Sequence, residues 1–184
     1  MNPKHLSKSD GWQTPTEIVE RVRKVLGQIA LDPASSTKAN ETVRANRIIT
    51  REEDALSKNW DCMGQTIFLN PPGGKSGNRS MVDLFWQRLL SYRWLFMDAV
   101  FLCFSIEALQ VMQTPRFGDD LEPLELFPIC IPQKRIRFGR EDGNSASSPT
   151  HANAIIYVPG TANRAHSFVD GFEDLGIILN RGDY

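Results

Sequence analysis

The sequence predicts an α/β protein built on a doubly wound, mostly parallel sheet with an antiparallel edge. Short continuous apolar runs, of the kind that stay buried on both faces of a parallel sheet, alternate with stretches of helical periodicity. Two of those runs stop abruptly on a polar residue followed by proline, at Asp32-Pro33 and at Asn70-Pro71-Pro72. A proline pair cannot continue a hydrogen-bonded ladder, so Asn70 is placed at the carboxyl end of a strand, the edge at which open α/β sheets bind ligands. The whole of residues 1–184 reads as one domain: the chain is long enough to bury a real core, 41% of its residues are hydrophobic, and 23% are charged.

In order along the chain, residues 1–11 form a polar tail, and structure is expected from Trp12 onward. Thr14 as N-cap, Pro15 at the first helical position and Glu17 three residues after the cap make a capping box. Ile18, Val19, Val22, Val25 and Leu26 then share a helical face that Gly27 ends. Ile29-Ala30-Leu31 is a strand ending in Asp32-Pro33-Ala34-Ser35-Ser36, and Arg47-Ile48-Ile49-Thr50 is a second, followed by Glu52-Glu53-Asp54-Ala55-Leu56. Thr66-Ile67-Phe68-Leu69 is the strand leading to Asn70.

Beyond Pro72, the polar stretch 73–79 reads as a glycine-rich loop, with Ser80 and Asp83 capping a helix that carries Met81, Val82, Phe85, Leu89 and Leu90 on one face. Ala99 to Phe104 is a fully buried strand, and Ser105 to about Gln113 a helix. Thr114 to Glu125, with two prolines and a glycine, is a loop. Phe127 to Pro132 and Ile136 to Phe138 read as a strand or an edge hairpin, Gly139 to Asn153 as a further loop, and Ala154 to Val158 as the last strong strand. Arg164 to Leu179 supplies a helix and one more strand.

Several function classes are disfavoured. No run is long and clean enough to span a bilayer, and Met1-Asn2-Pro3-Lys4-His5 opens no signal-peptide pattern, so a cytoplasmic protein without a membrane role is expected. Cys62, Cys103 and Cys130 are odd in number and scattered, as buried small hydrophobes would be. His5, His151 and His166 lie too far apart in sequence for a ligand set, and no metal site is expected. A net charge of -1 exerts no global pull on nucleic acid, leaving any such binding to a local patch. Lys134-Arg135-Ile136-Arg137-Phe138-Gly139-Arg140 is such a patch; if extended, it puts Arg135 and Arg137 on one face and Ile136 and Phe138 on the other. A solvated edge strand whose charges discourage aggregation is the alternative reading.

The order Thr14-Pro15, Asp32-Pro33-Ala34, Asp54-Ala55-Leu56 ahead of Trp60, then Asn70-Pro71-Pro72, resembles the amino-group DNA methyltransferases. The closest resemblance is to the small phage-type DNA N6-adenine methyltransferases, over Trp12 to about Tyr157. It implies a Rossmann-like SAM-dependent methyltransferase fold (SAM, S-adenosyl-L-methionine). It also implies that Trp12, Thr14 and Pro15 bind the cofactor, the last two at its carboxylate end. Asp32, Ala34 and Ser35 would line its methionine moiety, Asp54 and Leu56 would lie near its adenine, and Asn70, Pro71 and Pro72 would be catalytic.

Such residue types suit the chemistry. A carboxylate pairs with the cofactor's ammonium, and N–H groups at a helix start receive its carboxylate. Two acceptors facing the hydrogens of an exocyclic amine aim its lone pair at the methyl group, and prolines preset that geometry. The target base must leave the stack to arrive there. The resemblance further implies DNA contacts from Lys75, Arg79, Lys134, Arg135, Arg137, Phe138 and Arg140, with residues 114–153 facing DNA, and a bacterial host cell as the setting if the chain is phage or prophage encoded.

Two departures stand out. Gly73 occupies the place of the family's base-stacking aromatic, with Phe138, Trp60 or Phe117 as substitutes, and no clear acid for the cofactor ribose follows a second strand, leaving Glu53 as a substitute. The alternative functions are a catalytically silent protein of this fold that binds DNA or a host protein, and a nucleotide-binding protein using Gly74-Lys75-Ser76. For the latter, Leu69 stands where the phosphate-binding loop needs a glycine.

Overall fold

The computed structural model describes residues 12–113, 124–140 and 151–180. In chain order the elements are β1 (Trp12–Gln13), α1 (Thr16–Leu26), β2 (Leu31–Asp32), α2 (Thr37–Val43), β3 (Arg47–Ile48) and β4 (Thr66–Leu69). Then come β5 (Lys75–Ser76), β6 (Arg79–Ser80), α3 (Met81–Ser91), β7 (Asp98–Cys103), α4 (Ala108–Met112) and β8 (Ile129–Pro132). The remainder are β9 (Gly139–Arg140), β10 (Ala154–Pro159), α5 (Ala165–Phe172) and β11 (Gly176–Leu179).

Seven strands form one sheet in the order β11-β8-β10-β7-β4-β2-β3. The strands from β3 to β7 pair in parallel, whereas β10 runs antiparallel to both β7 and β8, and β11 antiparallel to β8. The antiparallel character is thus wider than one edge strand: β10 inserts beside β7 over a six-residue register, from Ala154 against Cys103 to Pro159 against Asp98. Two-residue strands pair as β1 with β9 and as β5 with β6.

Alternation along the central strands divides the core. Ile67 and Leu69 of β4, Phe101 of β7 and Ile156 of β10 face Phe85, Trp86 and Leu89 of α3. Phe68, Val100, Leu102, Ile155 and Tyr157 face Val19 and Val22 of α1 and Phe168 and Phe172 of α5. Strands buried on both sides must read as continuous apolar runs, which is why Ala99 to Phe104 and Ala154 to Val158 carry no polar alternation. The three cysteines are buried and unpaired. No helix among the described residues is long and apolar enough to cross a membrane.

Local details differ from the sequence expectation. The buried face of α1 holds all five expected residues and Gly27 ends it at a φ of 78°, but no side chain caps it. Thr14 is turned into the protein, where its hydroxyl accepts a hydrogen bond from Asn70, so the expected capping box does not form. Ser80 likewise makes no side-chain cap of α3. The helix expected from Ser105 shortens to α4, and Ile136 to Phe138 forms no strand, although the exposed-buried alternation of Arg135, Ile136 and Arg137 holds.

Candidate active site

The chain passes from β2 outward to β3 and then returns to the other side of β2 to form β4, so a topological switch point lies between β2 and β4. At such a point the loops leaving neighbouring strands diverge and open a crevice at their carboxyl ends. Asp32 ends β2 and Asn70 follows β4 directly, so both flank that crevice.

Asn70 is half-buried, and Pro71 behind it is buried. Its amide nitrogen donates to the Thr14 hydroxyl at 3.1 Å, joining residues 56 positions apart in sequence and orienting the amide. Oδ1 receives no hydrogen bond among the described residues and is the end left for another donor. Thr14 leads straight into α1, whose first turn is held by the Pro15 carbonyl accepting from the Ile18 and Val19 amides at 3.0 and 3.1 Å. The Thr16 and Glu17 amides precede the helical ladder and have no partner within it.

Two buried carboxyls are pushed up to about 6, and their settings differ. Asp98 begins β7 at the opposite, amino-terminal edge, where burial raises it while the Arg164 guanidinium at 3.3 Å and the Tyr157 hydroxyl at 3.3 Å compensate the charge. That cluster is a structural tie between β7, β10 and the start of α5. Asp32 is only 3% exposed; burial raises it, and the Ala34 amide, donating at 3.1 Å, opposes the rise. No basic side chain among the described residues pairs with Asp32. The Ser35 hydroxyl lies close enough to temper the shift, yet it forms no hydrogen bond of good geometry and is a buried polar atom without a partner. A buried carboxyl lacking a counter-ion, with an orphaned hydroxyl nearby, is the arrangement expected where a cationic, polar ligand completes the site. Ala34, partly buried, adds no bulk there.

Asp54 is exposed at a φ of 52°, and its carboxylate accepts from the Leu56 amide at 3.2 Å and the Ser57 hydroxyl at 3.0 Å, an Asx turn. Leu56 packs its partly buried side chain on the α3 side of the core. The second strand expected at Arg47 to Thr50 forms as β3, so the acidic run 52–54 does follow a second parallel strand. Glu53 accepts from the Thr50 amide at 3.0 Å and pairs with Lys58; that pairing, then the Thr50 amide, holds its carboxyl below the ordinary range. Glu53 is therefore engaged in holding its own turn.

The stretch 73–80 is ordered as the β5–β6 hairpin, turning at Gly77-Asn78, and not as an open loop. Gly74-Lys75-Ser76 consequently runs into a strand instead of a helical first turn, and no phosphate-cradling loop forms there. Lys75 is exposed, while Arg79 bonds Gln87 at 2.6 Å and pairs with the buried Asp83 at 3.5 Å, bracing the hairpin on α3. Lys134, Arg135 and Arg137 are exposed. The β1–β9 pairing sets Gly139 beside Gln13 and Arg140 beside Trp12, which brings the basic segment alongside the strand that leads to Thr14. The side chains of Trp12 and Arg140, and residues 1–11, 114–123 and 141–150 with Phe117, lie outside the described residues.

Of the aromatics considered as replacements at Gly73, Trp60 is fully buried and stacked on Tyr92 at 5.3 Å, so it is withdrawn from the crevice. Phe138 packs against the α1 and α5 side of the core. Sequence reasoning missed two residues of this edge. Asn153, 3% exposed, accepts from the Ile136 amide and donates to the Phe104 carbonyl, both at 2.8 Å, tying the basic segment to the carboxyl end of β7. Its sequence signal was a lone amide just ahead of a continuous apolar strand. Phe104 itself was signalled only as the last residue of the apolar run from Ala99.

A switch-point crevice flanked by a buried carboxyl with no basic partner among the described residues and by a strand-end Asn-Pro-Pro belongs to an α/β protein compatible with the Rossmann-like fold. Residues 3–91, just under half of the chain, match the family model described as DNA N-6-adenine-methyltransferase (Dam). That match supports the phage-type N6-adenine methyltransferase family and, with it, a DNA adenine methyltransferase as the class of activity. No curated protein and no solved structure matches the chain.

Proposed function

We propose that this protein transfers a methyl group from SAM to the N6 amino nitrogen of adenine in DNA, the target base being flipped out of the stack into the crevice at Asn70-Pro71-Pro72. The observation that carries this reading is the Thr14–Asn70 hydrogen bond, which holds a strand-end Asn-Pro-Pro one strand away from a buried carboxyl with no counter-ion among the described residues.

The residues present fit the cofactor. Asp32 would pair with its ammonium, the Ser35 hydroxyl would gain the partner it lacks, and the Thr16 and Glu17 amides would receive its carboxylate. Leu56 and Asp54 would border its adenosine end. When bound, SAM supplies a methyl group already activated by the sulfonium, so no strong base is required of the protein. Asn70 Oδ1 and the Pro71 carbonyl accept the two hydrogens of the target amine. The Thr14 contact keeps Asn70 from turning its nitrogen toward the substrate, and the prolines spare the site reorganisation during transfer.

DNA would lie across the carboxyl edge, between the β5–β6 hairpin and the segment 134–140. Lys75→Ala should then weaken binding alike for all sequences and reduce the slope of log affinity against log salt by about 1, as loss of one phosphate contact requires. Fluorescence anisotropy across a salt series measures it; an unchanged slope removes Lys75 from the interface. The function itself is tested by incubating the protein and labelled SAM with unmethylated DNA and weighing the digested nucleosides. N6-methyldeoxyadenosine is the expected product. SAM binding without any methylated adenine would leave a silent DNA- or protein-binding member of the fold, and tight ATP binding with none for SAM would overturn the cofactor assignment.

A further inference from the structure

Gly73 follows the Asn-Pro-Pro turn directly, and its backbone does not call for glycine: its φ lies outside the left-handed region, which Gly74 next to it occupies at 90°. What the glycine leaves room for is a ring. A β-carbon at position 73 would meet Phe104 Cζ at 3.6 Å and Cε1 at 3.8 Å, so a methyl group would touch the ring and a large side chain would compete with it.

Phe104 follows β7, the neighbour of β4 in the sheet, and stands at the same carboxyl edge as Asn70. Its side chain is only half-buried; the His151 ring lies edge-on at 6.1 Å and 81°, and Asn153 fixes its carbonyl. A base drawn out of a duplex loses its stacking neighbours and regains that energy on an aromatic face. With Trp60 sealed in the core and Phe138 packed against the other side of the sheet, Phe104 is the aromatic among the described residues that adjoins the Asn-Pro-Pro turn.

We propose that Phe104 supplies the aromatic surface on which the target adenine stacks, so that the stacking group comes from β7 and the Asn-Pro-Pro loop is cut back to glycine to admit it. This inference rests on the proposed function. The test compares methyl transfer to unmethylated DNA by the wild type, Phe104→Leu, Phe104→Tyr and the double variant Gly73→Tyr/Phe104→Leu, with SAM affinity by calorimetry and melting temperature measured alongside.

Phe104→Leu keeps apolar bulk but removes the π face, and is expected to lower kcat/KM for DNA by roughly 5- to 150-fold, the value of one base–aromatic stack, with SAM affinity within about twofold of wild type. Phe104→Tyr should retain activity, and a tyrosine at 73 should recover much of the loss. Wild-type activity in Phe104→Leu would overturn the inference while leaving the proposed function standing. Equal losses in the leucine and tyrosine variants, accompanied by lost SAM affinity, would also overturn it, by assigning the ring to packing. A wild type that methylates no DNA would overturn the proposed function and this inference with it.

Discussion

Asn70→Ala should reduce methyl transfer by about two to three orders of magnitude, the loss that follows removal of one preorganised polar group aimed at the reacting centre. The effect should fall on kcat, because the proposal gives Asn70 to the amine that reacts and not to the cofactor, whose proposed partners are Asp32, Ser35 and the start of α1. SAM affinity measured by calorimetry should stay within a few-fold of wild type. Since Asn70 is half-buried and its nitrogen bonds only Thr14 among the described residues, the fold should survive, as a melting curve will report. Near-wild-type transfer by the alanine variant would reject the catalytic assignment of Asn-Pro-Pro.

Asp32→Asn is expected to act in opposite directions on cofactor binding and on stability. The amide cannot pair with an ammonium as a carboxylate does, and losing a charge-assisted bond of roughly 1.5–3 kcal/mol weakens SAM binding about 10- to 150-fold. Wild-type affinity should itself fall as pH drops through about 6, where the buried carboxyl takes up its proton. Stability runs the other way. A carboxyl whose pKa is higher in the folded than in the unfolded protein favours the fold most below its unfolded pKa, and that contribution is lost as pH rises through the folded value.

The shift of Asp32 from 3.8 to about 6 corresponds to about 3 kcal/mol lost between those limits in the cofactor-free protein. Asp32→Asn abolishes that dependence. Relative to its stability at pH 4, the variant should therefore gain up to that amount over wild type by pH 8. Denaturant titrations at the two pH values, without SAM, measure the difference, and identical pH dependence in the two proteins would show that Asp32 is not the group burial has shifted. Asp98 shares the direction of shift but keeps its Arg164 and Tyr157 partners in both proteins, so it cancels in the comparison.

Much of the frame was legible because its signals are local. β4 spans Thr66 to Leu69 as expected, since four apolar residues ended by Asn-Pro-Pro can be little else, and the buried face of α1 follows from helical spacing alone. The caps differ for a physical reason: a threonine before Pro-x-Glu satisfies the local pattern of a capping box, but the half-buried asparagine just after β4 competes for the same hydroxyl. The hairpin at 73–80 was hidden by a glycine-rich composition that suits a loop and a tight β-turn equally.

The alternating α/β frame, the strand that ends at Asn70, and the order of Asp32, Asp54 and Asn-Pro-Pro along the chain are all written locally, because apolar periodicity and proline act within a few residues of where they stand. Which of those residues meet follows from the packed fold. The fold joined Thr14 to Asn70, left Asp32 without a counter-ion among the described residues, buried Trp60, and set the Phe104 ring beside Gly73. Each of these depends on the order of strands across the sheet, and strand order is fixed by the packing of distant segments, which no local pattern encodes.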